Sequence, residues 1–354
     1  MTTTSILERE IASQPHAIAA LLARAAPHVG AIVARLPPFE YIVIAARGSS
    51  DHAATYAQYA WAALGGYPVA LAAPSLHTLY QTPPRLGGAL VVGISQSGQS
   101  PDILAVVAEG KRQGRPTVAI TNDPASPLAR LADHVVELGV GAERSIAATK
   151  TYTAELAVIA LFAAAWSGAP ETTAALAAVP RTLEATLEAS AASALAEPGK
   201  LASAAPLFAA MDRCACIGRG YNLATALEIA LKLKEVAAVL AMPYSSADFR
   251  HGPIAVIGAD TPVLLIMPSG RAFDDMLALA GELRARGAAL LVLSDAPAAL
   301  ALADLPLALP APAADWLSPL SAVLPGQVLA LRLAQARQLD PDQPRGLRKV
   351  TRTL

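Results

Sequence analysis

The chain repeats one short pattern, first as IAARGSS at residues 44–50 and again as CIGRGYN at residues 216–222. A second pair is formed by VVGISQSG at 91–98 and VLLIMPSG at 263–270. Four pairs of residues stand 172 positions apart: Arg47 and Arg219, Gly48 and Gly220, Gly98 and Gly270, and Asp123 and Asp295. Several matches at one fixed offset predict a duplicated structural unit.

Each copy alternates short apolar runs with longer helical patterns. In the first copy the expected strands cover residues 41–47, 68–73, 89–95, 116–121 and 134–138. The expected helices between them cover residues 51–65, 75–80, 101–113 and 126–132. Uniformly apolar strands separated by helices favour a parallel sheet covered on both faces. The sequence therefore predicts an α/β fold with two tandem, doubly wound, flavodoxin-like domains of three αβα layers.

The repeat also suggests where the domains begin and end. We expect a first domain at 20–165, a second at 197–339 and a separate tail at 340–354. The Ala-rich stretch 150–196 is predicted to connect the copies as helix, and residues 317–337 to form one more helix. The tail contains two prolines and a basic finish, so no helix is expected there.

Composition excludes several classes of protein. Hydrophobic residues make up 54% of the 354 residues and charged residues 16%, which argues against intrinsic disorder. With 27 Lys and Arg against 28 Asp and Glu, and no basic tract, neither a nucleic acid nor a membrane partner is expected. No export signal is visible, and Cys214 and Cys216 fit small core residues of a reducing compartment. We therefore expect a cytoplasmic protein.

Two loops of the first copy combine hydroxyl groups with the start of a helix. Residues 47–50 (Arg-Gly-Ser-Ser) follow the first strand, and residues 95–100 (Ser-Gln-Ser-Gly-Gln-Ser) follow the third. In such sheets, ligands bind beyond the carboxyl ends of the strands, where the free amides of helix N-termini favour an oxyanion. Ser100 as N-cap and Pro101 as first helical residue mark such a start. The two loops predict a phosphate cradle, with ordinary capped turns as the alternative.

The second copy keeps the pattern of the fold and loses most of these hydroxyls. Four cradle positions change at the 172-residue offset: Ser49 to Tyr221, Ser50 to Asn222, Ser95 to Met267 and Gln96 to Pro268. A purely structural role gives no reason for this difference, so the phosphate is expected in the first copy. No nucleotide P-loop is present.

A predicted helix at 222–240 is almost wholly apolar apart from a few charged residues. Glu228, Lys232 and Glu235 follow an i, i+4, i+7 spacing and share one face. A carboxylate beside an ammonium can hold a proton shuttle in position, and a solvated salt-bridge stripe is the alternative. Downstream, His251 lies in a Gly/Pro loop, where a lone histidine is usually inert. No His, Cys, Asp or Glu cluster has convincing metal-ligand spacing, and no cofactor is expected.

Several motifs together resemble a known family. They are GSS at 48–50, SQSGQS at 95–100, AATK at 147–150, GRG at 218–220, LEIALKLKE at 227–235, RHGPIAVI at 250–257 and DQPRGLRK at 342–349. In this order they resemble the double sugar-isomerase (SIS) domain chains, above all the isomerase half of glucosamine-6-phosphate synthase. The resemblance implies a phosphosugar aldose–ketose site and a homodimer that shares its active sites.

The resemblance also implies roles for individual residues. The positions matching the substrate contacts are Gly48, Ser49, Ser50, Ser95, Gln96, Ser97, Ser100, Ala147, Ala148 and Glu228. Glu235 matches the carboxylate that moves a proton between C1 and C2, with Lys232 expected to orient it. His251 matches the ring-opening histidine, which reaches the site from the neighbouring subunit. Lys349 matches the lysine that forms an imine with the open-chain ketose, which makes residues 340–354 an active-site tail.

Three departures from the synthase pattern shape the expected activity. First, no glutaminase half is visible. Second, Arg47 stands where the family has a small residue, and Asp51 and His52 stand where it has an uncharged pair. Third, Ala148 stands where the synthase has a serine. Without glutamine-derived ammonia, mass action favours the reverse reaction. The sequence therefore predicts a deaminase that converts glucosamine 6-phosphate to fructose 6-phosphate and ammonia. The alternatives are an isomerase subunit of a glutamine–fructose-6-phosphate aminotransferase, a fructosamine-6-phosphate deglycase and a non-catalytic phosphosugar sensor.

Overall fold

A computed structural model describes residues 4–312 and 314–349. The strands in these residues are β1 Tyr41–Ala45, β2 Val69–Leu71, β3 Ala89–Ile94, β4 Thr117–Thr121, β5 His134–Glu137, β6 Arg213–Gly218, β7 Leu240–Ser245, β8 Pro262–Ile266, β9 Ala289–Ser294 and β10 Leu305–Ala308. The helices are α1 Ile6–Ala12, α2 Gln14–Arg35, α3 Ser49–Gly65, α4 Ser75–Thr78, α5 Pro101–Arg112, α6 Pro127–Leu131, α7 Lys150–Ser167, α8 Pro170–Ala192, α9 Pro198–Ala204, α10 Pro206–Ala209, α11 Leu223–Ala237, α12 Ser246–Arg250, α13 Phe273–Ala285, α14 Pro297–Leu300 and α15 Ser318–Ala336. Short 3₁₀ turns lie at Gly220–Asn222, Pro253–Val256 and Asp315–Leu317.

The strands form two five-stranded parallel sheets with the same internal order. The first runs β2-β1-β3-β4-β5, and the second, read from its other edge, runs β7-β6-β8-β9-β10. The register repeats as well, because Val43 pairs with Val91 and, 172 residues later, Ala215 pairs with Val263. This is the flavodoxin-like order. The predicted duplicated α/β fold is confirmed.

Apolar sequence explains the central strands. All six residues of β3 (ALVVGI) and all six of β9 (ALLVLS) are buried, as expected for parallel strands covered on both faces. The five strands and four helices predicted for the first copy all form, and each boundary lies within two residues of its expected position. Local apolar runs therefore sufficed to locate these elements.

The chain divides into two compact units, and each is described by itself. The N-terminal unit comprises residues 16–144, 150–177 and 348–349, and the C-terminal unit comprises residues 4–15, 145–149 and 178–347 among the described residues. The domain boundaries predicted above stay a prediction.

In the N-terminal unit, α3 packs along α7. Trp61 of α3 meets Phe162 and Trp166 of α7 edge-on, with ring centroids 5.9 and 5.2 Å away, and its Nε1 donates to the carbonyl of Ile159. The expectation of one helical stretch over 150–196 was wrong in detail. The helix breaks at Gly168, whose φ of 65° is left-handed, and a second helix starts at Pro170, whose ring suits a first turn.

In the C-terminal unit, α11 packs against α15, where Gly326 allows close approach of Ile229. The prediction of a helix over 222–240 was too long. The helix ends at Ala237 because Ala238 adopts a left-handed conformation, and Leu240 then pairs with Arg213 as the first residue of β7. Sheet pairing here overrides the helical pattern of the sequence.

The tail is tied down over the residues that are described. Residues 340–349 contain no helix, as predicted. Asp342 accepts hydrogen bonds from the backbone N–H groups of Ile6 and Leu7 at 2.7 and 2.8 Å, and so caps the start of α1. Residues 350–354, also predicted to belong to the active-site tail, lie outside the described residues.

Within residues 4–312 and 314–349, two helices are long and apolar enough to cross a bilayer by composition alone, Gln14–Arg35 and Asp315–Ala336. In an apolar 18-residue stretch of the second helix 94% is buried within the protein, which is typical of a core helix, and the corresponding share in the first helix is 33%. Cys214 and Cys216 of β6 are buried free thiols, in agreement with their predicted place in the core.

Candidate active site

The two serine-containing loops lie at neighbouring strand ends in the N-terminal unit. β1 and β3 are adjacent in the sheet, and the chain leaves them in opposite directions across it to form β2 and β4. This is the topological switch point, where ligands of open α/β sheets bind. Gly48 makes the turn from β1 into α3 with φ 57°, a conformation that favours glycine. The loops at 47–50 and 95–100 are hereafter called the cradle.

Serines of the third-strand loop differ in how they use their hydroxyls. Oγ of Ser95 accepts from the backbone N–H of Gly98 at 3.1 Å, so its proton is left for another acceptor. Ser100 occupies the predicted N-cap position of α5, but its hydroxyl makes no capping hydrogen bond. Ser126 has the same place before α6 and does cap, because its Oγ accepts from Ala129. An N-cap hydroxyl that does not cap is available to a ligand.

Serines of the first-strand loop are more enclosed. Ser49 is half-buried, and Ser50 is buried with its Oγ donating to Oε1 of Glu155 at 2.8 Å. A hydroxyl has one proton, so Ser50 must rotate before it can donate to a phosphate. Glu155 was not among the predicted site residues, although a lone acid in the apolar helix α7 indicates a polar partner.

The cradle opens into a cleft of about 540 Å³. Gln96, Ser97 and Gln99 line one part of it, and Glu143 lines another. The Nζ of Lys349 lies 2.9 Å from Oε2 of Glu143, whose side chain is fully buried. Within this unit the structure therefore brings the predicted imine-forming lysine to a residue that lines the same cleft as the cradle.

Glu143 is a second candidate site residue that was not predicted from the sequence. Besides Lys349, it accepts from the backbone N–H of Thr151 at 3.2 Å and from its hydroxyl at 2.7 Å. These donors fix the carboxylate at the start of α7, where it can hold a protonated amine or take up its proton. Its position in a Gly-containing loop, 206 residues from Lys349, gave no sign of this contact.

The charged face of α11 lies inside the C-terminal unit. Glu228 and Lys232 are almost wholly buried, while the Glu235 side chain is 22% exposed. Nζ of Lys232 lies 3.3 Å from Glu228 and 2.5 Å from Glu235, so one ammonium joins both carboxylates. A solvated stripe is excluded for Glu228 and Lys232. Buried charges of this kind are found where chemistry or strict positioning requires them.

The remaining predicted residues lie in other parts of the C-terminal unit. His251 follows α12 and is exposed, and Gly252 after it has φ 142°. Ala147 is buried and Ala148 half-buried in the segment 145–149. The placement of these residues, and of Glu228, Lys232 and Glu235, relative to the cradle stays a prediction.

Comparison with known proteins agrees with this architecture. A family model described as SIS domain matches residues 40–165 and 207–334. Glutamine–fructose-6-phosphate aminotransferase (isomerizing) from Gloeobacter violaceus is 36% identical over 322 residues, which cover 88% of this chain and 51% of that protein. The chain thus spans about half the length of the curated relatives it matches.

Solved structures show the same two-sheet fold. A protein from Silicibacter pomeroyi DSS-3, designated a phosphosugar isomerase, is 33% identical with a TM-score of 0.82, over 96% of this chain and all of that one. The C-terminal domain of glucosamine-fructose-6-phosphate aminotransferase from Francisella tularensis has a TM-score of 0.83 at 24% identity, over 97% of this chain and 99% of that one. The family model covers more than half of the sequence, and the chain therefore belongs to the SIS domain family.

Proposed function

We propose that the chain is a phosphosugar aldose–ketose isomerase whose site interconverts the C2 imine of fructose 6-phosphate and glucosamine 6-phosphate. The single observation that carries the proposal is the cleft of the N-terminal unit, where cradle residues and the carboxylate that binds Lys349 line one cavity. A cleft with groups that can bind an oxyanion at one end and a primary amine at the other suits a sugar phosphate whose carbonyl forms an imine.

The sequence alone put deamination first, and the comparisons favour the aminotransferase-type alternative. The curated relatives cited above are named for the synthetic direction, the amination of fructose 6-phosphate. Deamination is the same chemistry run in reverse, so the residue roles are the same in both directions. We therefore propose the isomerase site of an aminotransferase of this kind, with the net direction as an outcome of the test.

Each group has a defined task in the proposed reaction. The cradle serines bind the phosphate, and His251 opens the sugar ring by general acid–base transfer. The amine of Lys349 attacks C2 of the ketose and releases water to form an imine, and ammonia then displaces the lysine. Glu235 removes a proton from C1 and returns one to C2, which converts the ketose imine into the 2-amino aldose. A proton-transfer group of this type contributes about 10²–10⁴-fold to the rate.

The test follows hydrogen exchange, which does not depend on the source of ammonia. Purified protein is incubated in D₂O with fructose 6-phosphate and ammonium, and separately with glucosamine 6-phosphate. Deuterium at C1 of the ketose or C2 of the amino sugar, with net formation of the other sugar, is expected. A parallel incubation with glutamine in place of ammonium tests whether a separate glutaminase co-purifies with the chain, because only then would glutamine support formation of the amino sugar. Absence of exchange with every substrate would contradict the proposal, and loss of ammonia from glucosamine 6-phosphate as the dominant reaction would restore the deaminase.

A further inference from the structure

Arg47 joins the first-strand loop of the cradle to helix α5, which follows the third-strand loop, through an ion pair. It follows β1, and its Nε donates to Oδ2 of Asp102 at 2.6 Å, in the first turn of α5. The Asp102 side chain is 1% exposed, whereas that of Arg47 is 50% exposed. Among the described residues the guanidinium makes no further hydrogen bond, so its two terminal Nη groups are left for solvent or a ligand.

The second copy contains the same two residue types without the contact. Arg219 and Asp274 stand 172 residues after Arg47 and Asp102, and Asp274 also lies in the first turn of its helix, α13. Asp274 is exposed, and in the part of the chain that the structure describes it forms no ion pair with Arg219. The fold therefore does not require the ion pair, which is made in the copy that has the serine-rich loops.

Charge explains why a cradle for phosphate would need this arginine. A buried carboxylate in the first turn of α5 is favoured by the helix dipole, but it repels an anion bound at the same helix N-terminus. Arg47 neutralises Asp102 through Nε and retains donors on both Nη groups. A planar guanidinium with free donors binds two oxygens of a phosphate at once.

We propose that Arg47 binds the phosphate of the substrate and that Asp102 is the positioning residue that holds its guanidinium at the cradle. This inference rests on the proposed function and names the group that sets its specificity. Serine hydroxyls and backbone amides donate to any oxyanion, whereas a fixed positive charge favours a phosphate dianion over a singly charged sulfate ester. Arg47 therefore makes the cradle selective for sugar phosphates.

The test compares dissociation constants for fructose 6-phosphate and fructose 6-sulfate by calorimetry. Arg47→Ala removes the proposed contact to the phosphate and one positive charge beside Asp102, so binding of the phosphate is expected to weaken at least about tenfold. The double variant Arg47→Ala, Asp102→Asn loses the repulsion as well and is expected to bind several-fold more tightly than Arg47→Ala alone. The preference for phosphate over sulfate falls in both variants. Arg219→Ala, the matched change in the second copy, is expected to bind like the wild type.

Two further measurements separate this role from a structural one. Arg47→Lys keeps the positive charge but loses the planar pair of donors of the guanidinium. Its affinity for fructose 6-phosphate is therefore expected to lie between those of the wild type and Arg47→Ala, with a higher KM and a kcat within about threefold of the wild type. Melting temperatures without ligand establish that each variant is folded. If Arg47→Ala does not fold, Arg47→Lys takes its place in the binding comparison. Wild-type affinity in Arg47→Ala, or equal affinities of the single and double variants, would overturn the inference and leave the proposed function standing. A wild type that does not bind fructose 6-phosphate would overturn the proposed function itself.

Discussion

The two copies use matching loops in opposite ways. In the second copy the protein's own carboxylates occupy the loop after β8, since the backbone N–H of Ser269 donates to Asp295 at 2.6 Å and that of Arg271 to Asp315 at 3.0 Å. At the matching positions of the first copy, Ser97 and Gln99, the described residues place no carboxylate on the backbone amides. One loop is closed by internal anions, and the other is open to an external one.

Asp123 and Asp295 show that the same residue type at matching positions makes different contacts in the two copies. They occupy the same position in the two copies, yet Asp123 accepts from Ala125 within its own turn, whereas Asp295 reaches the loop after β8. The cavities differ accordingly, at about 540 Å³ beside the first-copy loop and about 90 Å³ beside the second. This difference agrees with the proposal that the substrate's phosphate binds at the first-copy loops, because the matching amides of the second copy already have internal acceptors.

The largest expected effect separates chemistry from binding. Glu235→Gln in the second copy removes the proposed proton carrier but no cradle contact. We expect the rate of deuterium exchange into fructose 6-phosphate in the presence of ammonium to fall by about 10²–10⁴-fold. The dissociation constant for fructose 6-phosphate, measured by calorimetry, should stay within about threefold of the wild-type value. Exchange at the wild-type rate would remove Glu235 from the mechanism.

The next prediction tests the buried charge network on α11. Lys232→Met leaves the buried carboxylate of Glu228 without its ammonium, which costs about 3–5 kcal/mol of folding free energy. Lys234→Met, on the exposed side of the same helix, is the matched control and should change stability by less than about 0.5 kcal/mol. Urea unfolding of both variants measures the difference. Equal stabilities would mean that α11 does not need its internal ion pairs.

A smaller effect distinguishes a ligand-binding serine from a capping one. Ser100 and Ser126 both precede a proline at the start of a helix, but of these two only Ser126 accepts a capping hydrogen bond on its hydroxyl oxygen. Ser100→Ala is expected to weaken fructose 6-phosphate binding several-fold with the melting temperature unchanged. Ser126→Ala is expected to lower stability by about 1 kcal/mol with unchanged binding. The opposite pattern would assign Ser100 to the fold.

The smallest effect concerns Asp51 in the first turn of α3. Burial raises the pKa of Asp51 above its ordinary value, while His52 and Arg47 act in the opposite direction. When folding raises the pKa of a carboxyl group, the free energy of unfolding of the protein decreases as the pH rises from the unfolded pKa of that group through its folded pKa. Asp51→Asn should therefore melt slightly higher than the wild type at pH 7, and the advantage should vanish in acid near the unfolded pKa. A constant difference across this pH range would exclude the desolvation of Asp51 as its cause.

The sequence predicted elements better than it predicted partners. The strands, the start of α5 at Pro101 and the duplicated sheet order followed from apolar runs, turn residues and the repeat, all of which are local signals. The partners of the site were missed because they are distant in sequence. Ser50 and Glu155 are 105 residues apart, and nothing near either residue specifies the contact. The role proposed for Arg47 also needed the structure, since only the structure shows that its partner Asp102 is buried.

A crystal structure of the protein with fructose 6-phosphate would locate the phosphate group directly. We expect the phosphate oxygens within hydrogen-bond distance of the Ser97 and Ser100 hydroxyls and of the Arg47 guanidinium. We expect no sugar phosphate in the cavity lined by Arg219 and Tyr221. A phosphate bound in that second-copy cavity, with the first-copy loops unoccupied, would contradict the division of labour between the two halves.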